Sequence, residues 1–410
     1  MRARALAGFG LVALLAACTG STGGSSSSTS TGSSASSSTG ASAPAGTSSS
    51  AAASGSAPRL EIQEVAGGLE HPWDLAFLPD GQVLVTERGG ALVLLSSSAP
   101  GARRTSVDAD LDQVNARGEG GLMGLVLSPD FATSREFITC ETHTTQDIRL
   151  VVRRLSADGR TATRTRDLLT GFPVAGSGRH SGCRMAYGAD GMLYVGTGDT
   201  ADPTAPQDRS SLGGKVLRID PRTGAAPAGN PFATSSDPHE RLIWTYGHRN
   251  VQGIAVTGDR VYSAEHGPDK NDEVNLLKPG ANYGWDPGQG GSRRNYDESV
   301  PMTDTARFPD AVGAVWQSGD MTEAICAATF LTGEKWGSWQ GAMVVTALKG
   351  AKLLVLQFDP SGSRVTGTTV PPEFADRYGR LRAARVGPDG ALYVTTSNGS
   401  ADKVLRVVPS

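Results

Sequence analysis

DLAFLPDGQVLVTER, residues 74–88, reads as a strand, a tight Pro-Asp-Gly turn and a second strand, and the phrase recurs along the chain. Copies begin at Gly124 (GLVLSPDFATSREFITCET), Arg184 (RMAYGADGMLYVGTGD), Gly253 (GIAVTGDRVYSAEHG) and Arg385 (RVGPDGALYVTTSNG), with a degenerate one at Thr329 (TFLTGEKWGSWQGAMVVTALKG). Each is apolar or alternating over a short run and then broken by a turn residue, and none sustains a helical period. Six copies between Arg59 and Ser410 leave about sixty residues per unit, room for a four-stranded blade with insertions. The reading is all-β: a six-bladed β-propeller of four-stranded antiparallel blades. A β-sandwich built from similar hairpins accounts less well for one grammar running throughout. LEIQEVA from Leu60 is expected to pair with KVLRVV near the C-terminus, closing the ring and removing exposed sheet edges.

Ahead of the repeats lies a segment of another kind. Arg2 and Arg4 precede an apolar run from Ala5 to Ala17, too short for a permanent span, and Leu15-Ala16-Ala17-Cys18 has the form of a bacterial lipobox. Residues 1–17 are therefore expected to be a lipoprotein signal peptide and Cys18 the lipidated residue, which makes the chain an exported bacterial lipoprotein. Residues 18–58, almost wholly Ser, Thr, Gly and Ala, cannot bury enough surface to fold and form a disordered tether. Its root-mean-square span would be about 35 Å. The propeller domain then covers 59–410. With 53 Gly and 23 Pro against 6% aromatics, the composition suits many tight turns, and a net charge of -3 leaves no basic footprint for nucleic acid. Three cysteines follow Cys18, and an exported context favours a disulfide between Cys140 and Cys183, leaving Cys326 as a buried small hydrophobe.

Chemistry-bearing residues concentrate in residues 247–286, which hold GHRNVQG, EHGPDKNDEVNL and NYGW. Arg249 offers a planar fork of donors and Asn250 an amide, a pair suited to a planar acidic ligand. Gly267-Pro268 forces a turn, and Asp269, Asp272 and Glu273 supply hard oxygens of the type calcium prefers. A solvated acidic turn with Arg249 in a local salt bridge would account for the same residues. Other candidates recur about once per unit: Glu119 in GEGGLMG, His180 in GRHSGCR, Lys349 in ALKG, and Arg380 and Arg382 in GRLRAAR.

In these motifs, together with HPWDLAFLPDG and LGGKVLRID, the chain resembles the soluble pyrroloquinoline-quinone (PQQ) dependent sugar dehydrogenases, in their aldose sugar dehydrogenase branch, over essentially all of Leu60 to Val408. The resemblance implies oxidation of an aldose at C1, with PQQ and Ca2+ as cofactors and an external quinone, cytochrome or dye as electron acceptor. It implies that His180 is the general base, and that Lys349, Arg249, Arg380 and Arg382 cradle the three carboxylates of PQQ, with Asn250 and Glu119 at its edge. It also implies that the carbonyls of Gly267 and Pro268 hold the calcium that bridges to PQQ, and that Asp272, Glu273 and Tyr283 hold further calcium. His248 and His266 are expected to be structural.

Two positions depart from the glucose-oxidising branch. Arg179 stands before His180 where that branch has an acid, and Glu119 stands in place of a glutamine. The insertion ADPTAPQDRSS after Asp199 is short, which suits a mouth open to larger sugars. Two other function classes compete. A calcium-dependent lactone or ester hydrolase has no use for the cationic residues, and a non-enzymatic propeller binding a glycan or protein has no use for His180. No GxSxG, GxGxxG or HExxH motif occurs in the folded part.

Overall fold

The computed structural model describes residues 56–143, 146–291 and 295–410; the leader, Cys18 and the tether up to residue 55 lie outside the described residues. After β1 (Leu60–Leu69) come β2 (Pro72–Phe77), β3 (Val83–Glu87), β4 (Ala91–Leu95) and β5 (Arg104–Ala109). Next are β6 (Leu122–Leu127), β7 (Glu136–Thr142), β8 (Ile148–Leu155) and β9 (Thr161–Phe172), then β10 (Arg184–Tyr187), β11 (Leu193–Gly196), β12 (Lys215–Ile219) and β13 (Ile243–Tyr246). The second half holds β14 (Val251–Thr257), β15 (Arg260–Glu265), β16 (Glu273–Leu276), β17 (Trp316–Gln317), β18 (Ile325–Phe330), β19 (Met343–Ala347), β20 (Lys352–Phe358) and β21 (Val365–Thr369). It ends with β22 (Leu381–Val386), β23 (Leu392–Thr396) and β24 (Asp402–Pro409).

Every copy of the repeated phrase folds as a hairpin: β2–β3, β6–β7, β10–β11, β14–β15, β18–β19 and β22–β23. In three of them an aspartate at the turn accepts the N–H two residues on, Asp80 from Gln82 (3.1 Å), Asp190 from Met192 (2.9 Å) and Asp389 from Ala391 (3.2 Å). The intervening Gly81, Gly191 and Gly390 adopt φ of 86°, 74° and 74°, which only glycine takes without strain. The copies at Gly124 and Thr329, lacking Asp-Gly, turn through a single α-helical turn, α1 (Phe131–Ser134), and a 3-10 segment at Glu334–Trp339.

The sheets are β10–β13, β14–β17, β18–β21, the sheet β1-β24-β23-β22, and an eight-stranded sheet β2-β3-β4-β5-β9-β8-β7-β6. The last departs from the expectation of separate blades: β5 and β9 pair in parallel at Asp108↔Thr161 and Ala109↔Ala162. The physical reason lies at the β8–β9 turn. Gly159, with φ of 70°, sits where a Cβ would come within 2.5 Å of the Leu94 side chain, so this hairpin leans onto the preceding unit. β1 pairs antiparallel with β24 from Leu60↔Pro409 to Leu69↔Asp402, as the sequence predicts. The first strands form a closed circuit, β2 to β6, β10, β14, β18, β22 and back to β2. The whole is all-β and consistent with a β-propeller.

An ionic knot ties the inner strands. Asp74 of β2 is fully buried and pairs with Arg184 of β10 (2.8 Å) and Arg385 of β22 (2.8 Å), and accepts the Leu125 N–H of β6 (3.2 Å). Arg184 lies 4.1 Å from the Trp73 ring centroid. Burial pulls the Arg184 guanidinium down to about 10, against the opposing pull of Asp74. A disulfide joins Cys140 of β7 to Cys183 just before β10, with Cα atoms 5.9 Å apart, so two consecutive units are cross-linked beside the site described next.

Candidate active site

His180 and Asp199 meet because of hairpin register. β10 and β11 pair Arg184 with Gly196, so continuing the ladder outward sets His180 opposite Thr200, whose N–H reaches the His180 carbonyl at 3.3 Å. The imidazole is buried, and its Nδ1 lies 2.6 Å from Asp199 Oδ1. Oδ1 also accepts the Ala201 N–H (2.8 Å), while Oδ2 accepts Trp285 Nε1–H (2.8 Å) and the Tyr296 hydroxyl (2.7 Å). Burial would raise the Asp199 carboxyl, but His180, Arg249 and these donors override it and hold it below its ordinary range. With Nδ1–H donated to the carboxylate, Nε2 carries the lone pair, and the Nε–H of Arg179 faces it at 3.3 Å. Asp199 thus fixes the orientation of the imidazole.

Side-chain amides run from this pair into the centre. Asn250 Oδ1 accepts the Gly182 N–H (3.1 Å), and its Nδ2 donates to Glu119 Oε2 (2.8 Å), which also accepts Gln252 Nε2–H (2.9 Å). Burial would raise the Glu119 carboxyl, but His180, His266 and Asn250 bring it below its ordinary range. Gln252 Oε1 in turn accepts from Arg382 (2.5 Å) and from the thiol of Cys326 (3.2 Å). Cys326 is buried, as expected, but in a polar network, not among apolar side chains alone; burial pushes its thiol up. His266, 3.7 Å from that sulfur, is held down to about 3 by burial against the pull of Glu119, so it is neutral.

The cations fall into two groups. Arg382, buried, has Arg380 and Arg88 as charged neighbours, and none of the three forms an ion pair with a described carboxylate. Burial and the Arg382 charge depress both Arg88 and Arg380. Arg382 Nε is a buried donor without a partner among the described residues. Arg249 forms a salt bridge, not with the acidic turn beside it but with the distant Glu298 at 2.6 Å, which also binds Arg179 at 2.5 Å. Its Nε is nonetheless unpartnered and buried, and its NH1 reaches the His266 carbonyl at 3.2 Å. Lys349 is exposed; its N–H bonds the Glu323 carbonyl (3.0 Å), while the Glu323 N–H bonds Asp272 (2.6 Å), so it stands beside the Gly267–Asp272 loop.

In that loop Gly267 N–H donates to Asp272 Oδ1 (2.8 Å), and a Cβ on Gly267 would meet the Lys270 carbonyl at 1.8 Å, so glycine is obligatory. No hydrogen bond from a described residue reaches the Gly267 or Pro268 carbonyl. Asp272, Glu273 and Tyr283 are not brought together as one ligand set. Asp272 serves the loop, Glu273 accepts from Thr303 (3.1 Å) and Gln317 (2.9 Å), and Tyr283 donates to the Leu276 carbonyl (2.6 Å) and stacks on His248. The reason is strand alternation: Asp272 and Glu273 are sequence neighbours and face opposite ways. Among the described residues no group of three or more His, Cys, Asp or Glu stands ready to hold a metal. Burial and the neighbouring Glu265 push Glu273 up to about 8, and the adjacent Asn275 Oδ1 is a buried acceptor without a partner.

The model of the glucose/sorbosone dehydrogenase family matches residues 69–406. The chain belongs to the glucose/sorbosone dehydrogenase family. It is 31% identical to the aldose sugar dehydrogenase YliI of Escherichia coli over 366 residues, covering 85% of this chain and 93% of the relative. It is 30% identical to quinoprotein glucose dehydrogenase B of Acinetobacter calcoaceticus over 250 residues, 54% of this chain and 51% of the relative. Among solved structures it resembles the PQQ-bound aldose sugar dehydrogenase of Streptomyces coelicolor, with 30% identity, a TM-score of 0.70, and coverage of 86% of this chain and all of that one.

Within this family fold, sequence reasoning brought His180, Glu119, Asn250, Arg249, Arg380 and Arg382 to one region and missed Arg88, Asp199, Gln252, Tyr296 and Glu298. Asp199 was within reach, since the hairpin arithmetic above needs only the turn at Asp190-Gly191. Gln252 stands two residues beyond Asn250 in the quoted GHRNVQG, on the same face of the chain. Tyr296 and Glu298 lie in a segment outside the repeat, with no periodicity to mark them.

Proposed function

We propose that this chain oxidises aldose sugars at C1 to the lactone, passing a hydride to PQQ in the presence of calcium, on a six-bladed propeller in which the eight-stranded sheet is two blades. The observation that carries the reading is a cluster of cations, Arg88, Arg380 and Arg382, none of them in an ion pair with a described carboxylate, beside a His–Asp pair. Three packed cations with Glu119 and Glu70 as nearby but unpaired anions call for a polyanionic ligand.

The residues fit both groups. The unpartnered guanidinium N–H groups of Arg382 and Arg249 are buried donors that carboxylate or quinone oxygens would satisfy. Arg88, Arg380, Arg382 and Lys349 would hold the PQQ carboxylates, with Arg249, Asn250 and Glu119 at its edge. The carbonyls of Gly267 and Pro268, reached by no described donor, are hard oxygens suited to the bridging calcium. Asn275 Oδ1 with Glu273 offers a second place where a cation would relieve buried negative charge; Asp272 and Tyr283, already committed to protein partners, would have to give those up to join it.

When bound, PQQ would supply a quinone carbonyl that accepts two electrons as hydride, with calcium as the Lewis acid that polarises it. His180 Nε2 takes the proton of the C1 hydroxyl once Arg179 yields that position. Asp199, fixed by Trp285 and Tyr296, stabilises the imidazolium. C1 loses its hydrogen with the bonding pair, and its C–O bond becomes the lactone carbonyl. Burial of His180 excludes bulk water from the proton transfer. A quinone, cytochrome or dye outside the protein then removes the electrons. We further propose that the enzyme is a lipoprotein on the outer face of the cell membrane or in a periplasm, a reading supported by the lipobox at Cys18 in the sequence and by the Cys140–Cys183 disulfide, which suits an oxidising compartment.

The test is equilibrium binding of PQQ to the full chain, followed by fluorescence quenching with calcium and with chelator. Saturable, calcium-assisted binding supports the reading; no binding at micromolar PQQ overturns it.

A further inference from the structure

Tyr296 reaches the site from the stretch between β16 and β17, which no repeat explains. Its hydroxyl donates to Asp199 Oδ2 at 2.7 Å and lies 3.2 Å from His180 Nδ1. The ring is 6.0 Å from the imidazole and 6.2 Å from Trp285, edge-on to the indole, with the Arg179 guanidinium 5.5 Å from its centroid. Burial pushes the phenol far above its ordinary range, so it stays protonated and remains a donor.

Asp199 is thereby shared. One oxygen takes the imidazole N–H and the Ala201 N–H, and the other takes the indole N–H and the phenol. A carboxylate saturated by four donors is a weaker acceptor towards an imidazolium than one with three, and its plane is fixed by donors on both oxygens.

We propose that Tyr296 is a positioning residue for the base: its hydroxyl fixes the plane of the Asp199 carboxylate and withdraws charge from it, and so sets how tightly His180 holds the proton taken from substrate. This rests on the reading of His180 as the base. The other charged or titratable groups facing the pair are Arg179 on His180 Nε2, further off Glu119, His266 and Glu298 towards His180, and Arg249 towards Asp199. None of them bonds the Tyr296 hydroxyl, so deleting that oxygen leaves them in place.

The experiment is Tyr296→Phe in the full chain. Without the phenolic donor, Asp199 binds the imidazolium more strongly, so the acid limb of the kcat/KM profile should move to higher pH by about half to one unit. At the optimum kcat should fall roughly tenfold, with KM for the aldose within twofold. In the apo chain, NMR titration of the His180 imidazole should move the same way, whether or not PQQ binds. Asp199→Asn should move it downward, and in that background Tyr296→Phe should add nothing. An unmoved acid limb and imidazole titration in Tyr296→Phe, or an equal shift with Asp199 already replaced, overturns the proposal. Full activity of His180→Gln would sink the reading of the base instead, a distinct outcome.

Discussion

Replacing Asp74 by Asn tests the ionic knot on which the inner ring depends. The substitution keeps the shape but removes the one anion between Arg184 and Arg385. Breaking a buried pair by removing one partner costs about 3–5 kcal/mol, because the charges left behind are uncompensated. With an unfolding entropy near 2.1 cal/mol/K per residue and about 350 folded residues, that is a fall in Tm of roughly 4–7 °C by scanning calorimetry. The pH dependence supplies a sign. Burial acts to raise the Asp74 carboxyl, and Arg184 and Arg385 override it, leaving it below its ordinary value. Stabilisation from a depressed carboxyl is present above its unfolded pKa of about 3.9 and is lost as pH falls through its folded value. The gap between wild type and variant should therefore be full at pH 7 and close progressively below about pH 4. A loss under about 1 kcal/mol at pH 7, or a gap that widens on acidification, would refute the reasoning.

Arg382→Met should weaken PQQ binding by roughly 10- to 150-fold, the worth of one charge-assisted contact, while leaving Tm unchanged or raised because repulsion with Arg88 and Arg380 is relieved; binding and calorimetry on one sample check both. Glu119→Gln removes an anion beside the cations and should tighten PQQ binding by about three- to tenfold in the same titration. Replacing Cys140 and Cys183 by Ser opens a loop with a separation of 43 residues, which the chain-entropy relation values at about 4 kcal/mol, seen as a fall in Tm of about 5 °C.

The fold was legible wherever a local rule acted. Asp-Gly turns announced the hairpins, and LEIQEVA found its partner at the other end of the chain because an unpaired edge strand needs one. The β5–β9 pairing was not legible, since it arises from the close approach of Gly159 to Leu94 across two units. In the site, residues carried by the repeat were found, whereas Tyr296 and Glu298 depend on how an irregular segment folds back. Asp272, Glu273 and Tyr283 illustrate the converse: the resemblance implies that they hold further calcium, yet Asp272 and Glu273 face opposite ways along the chain and Tyr283, outside any strand, is bonded to the Leu276 carbonyl.

Turnover with product identification tests the central claim most directly. The full chain, loaded with PQQ and calcium, is given a panel of aldoses with a dye acceptor, and the lactone is measured alongside His180→Ala. The account predicts lactone formation that needs both additions and falls at least 100-fold in the variant, with PQQ binding retained. A wild-type chain that binds PQQ and calcium but oxidises no aldose, or a His180→Ala chain that oxidises one at the wild-type rate, would contradict it.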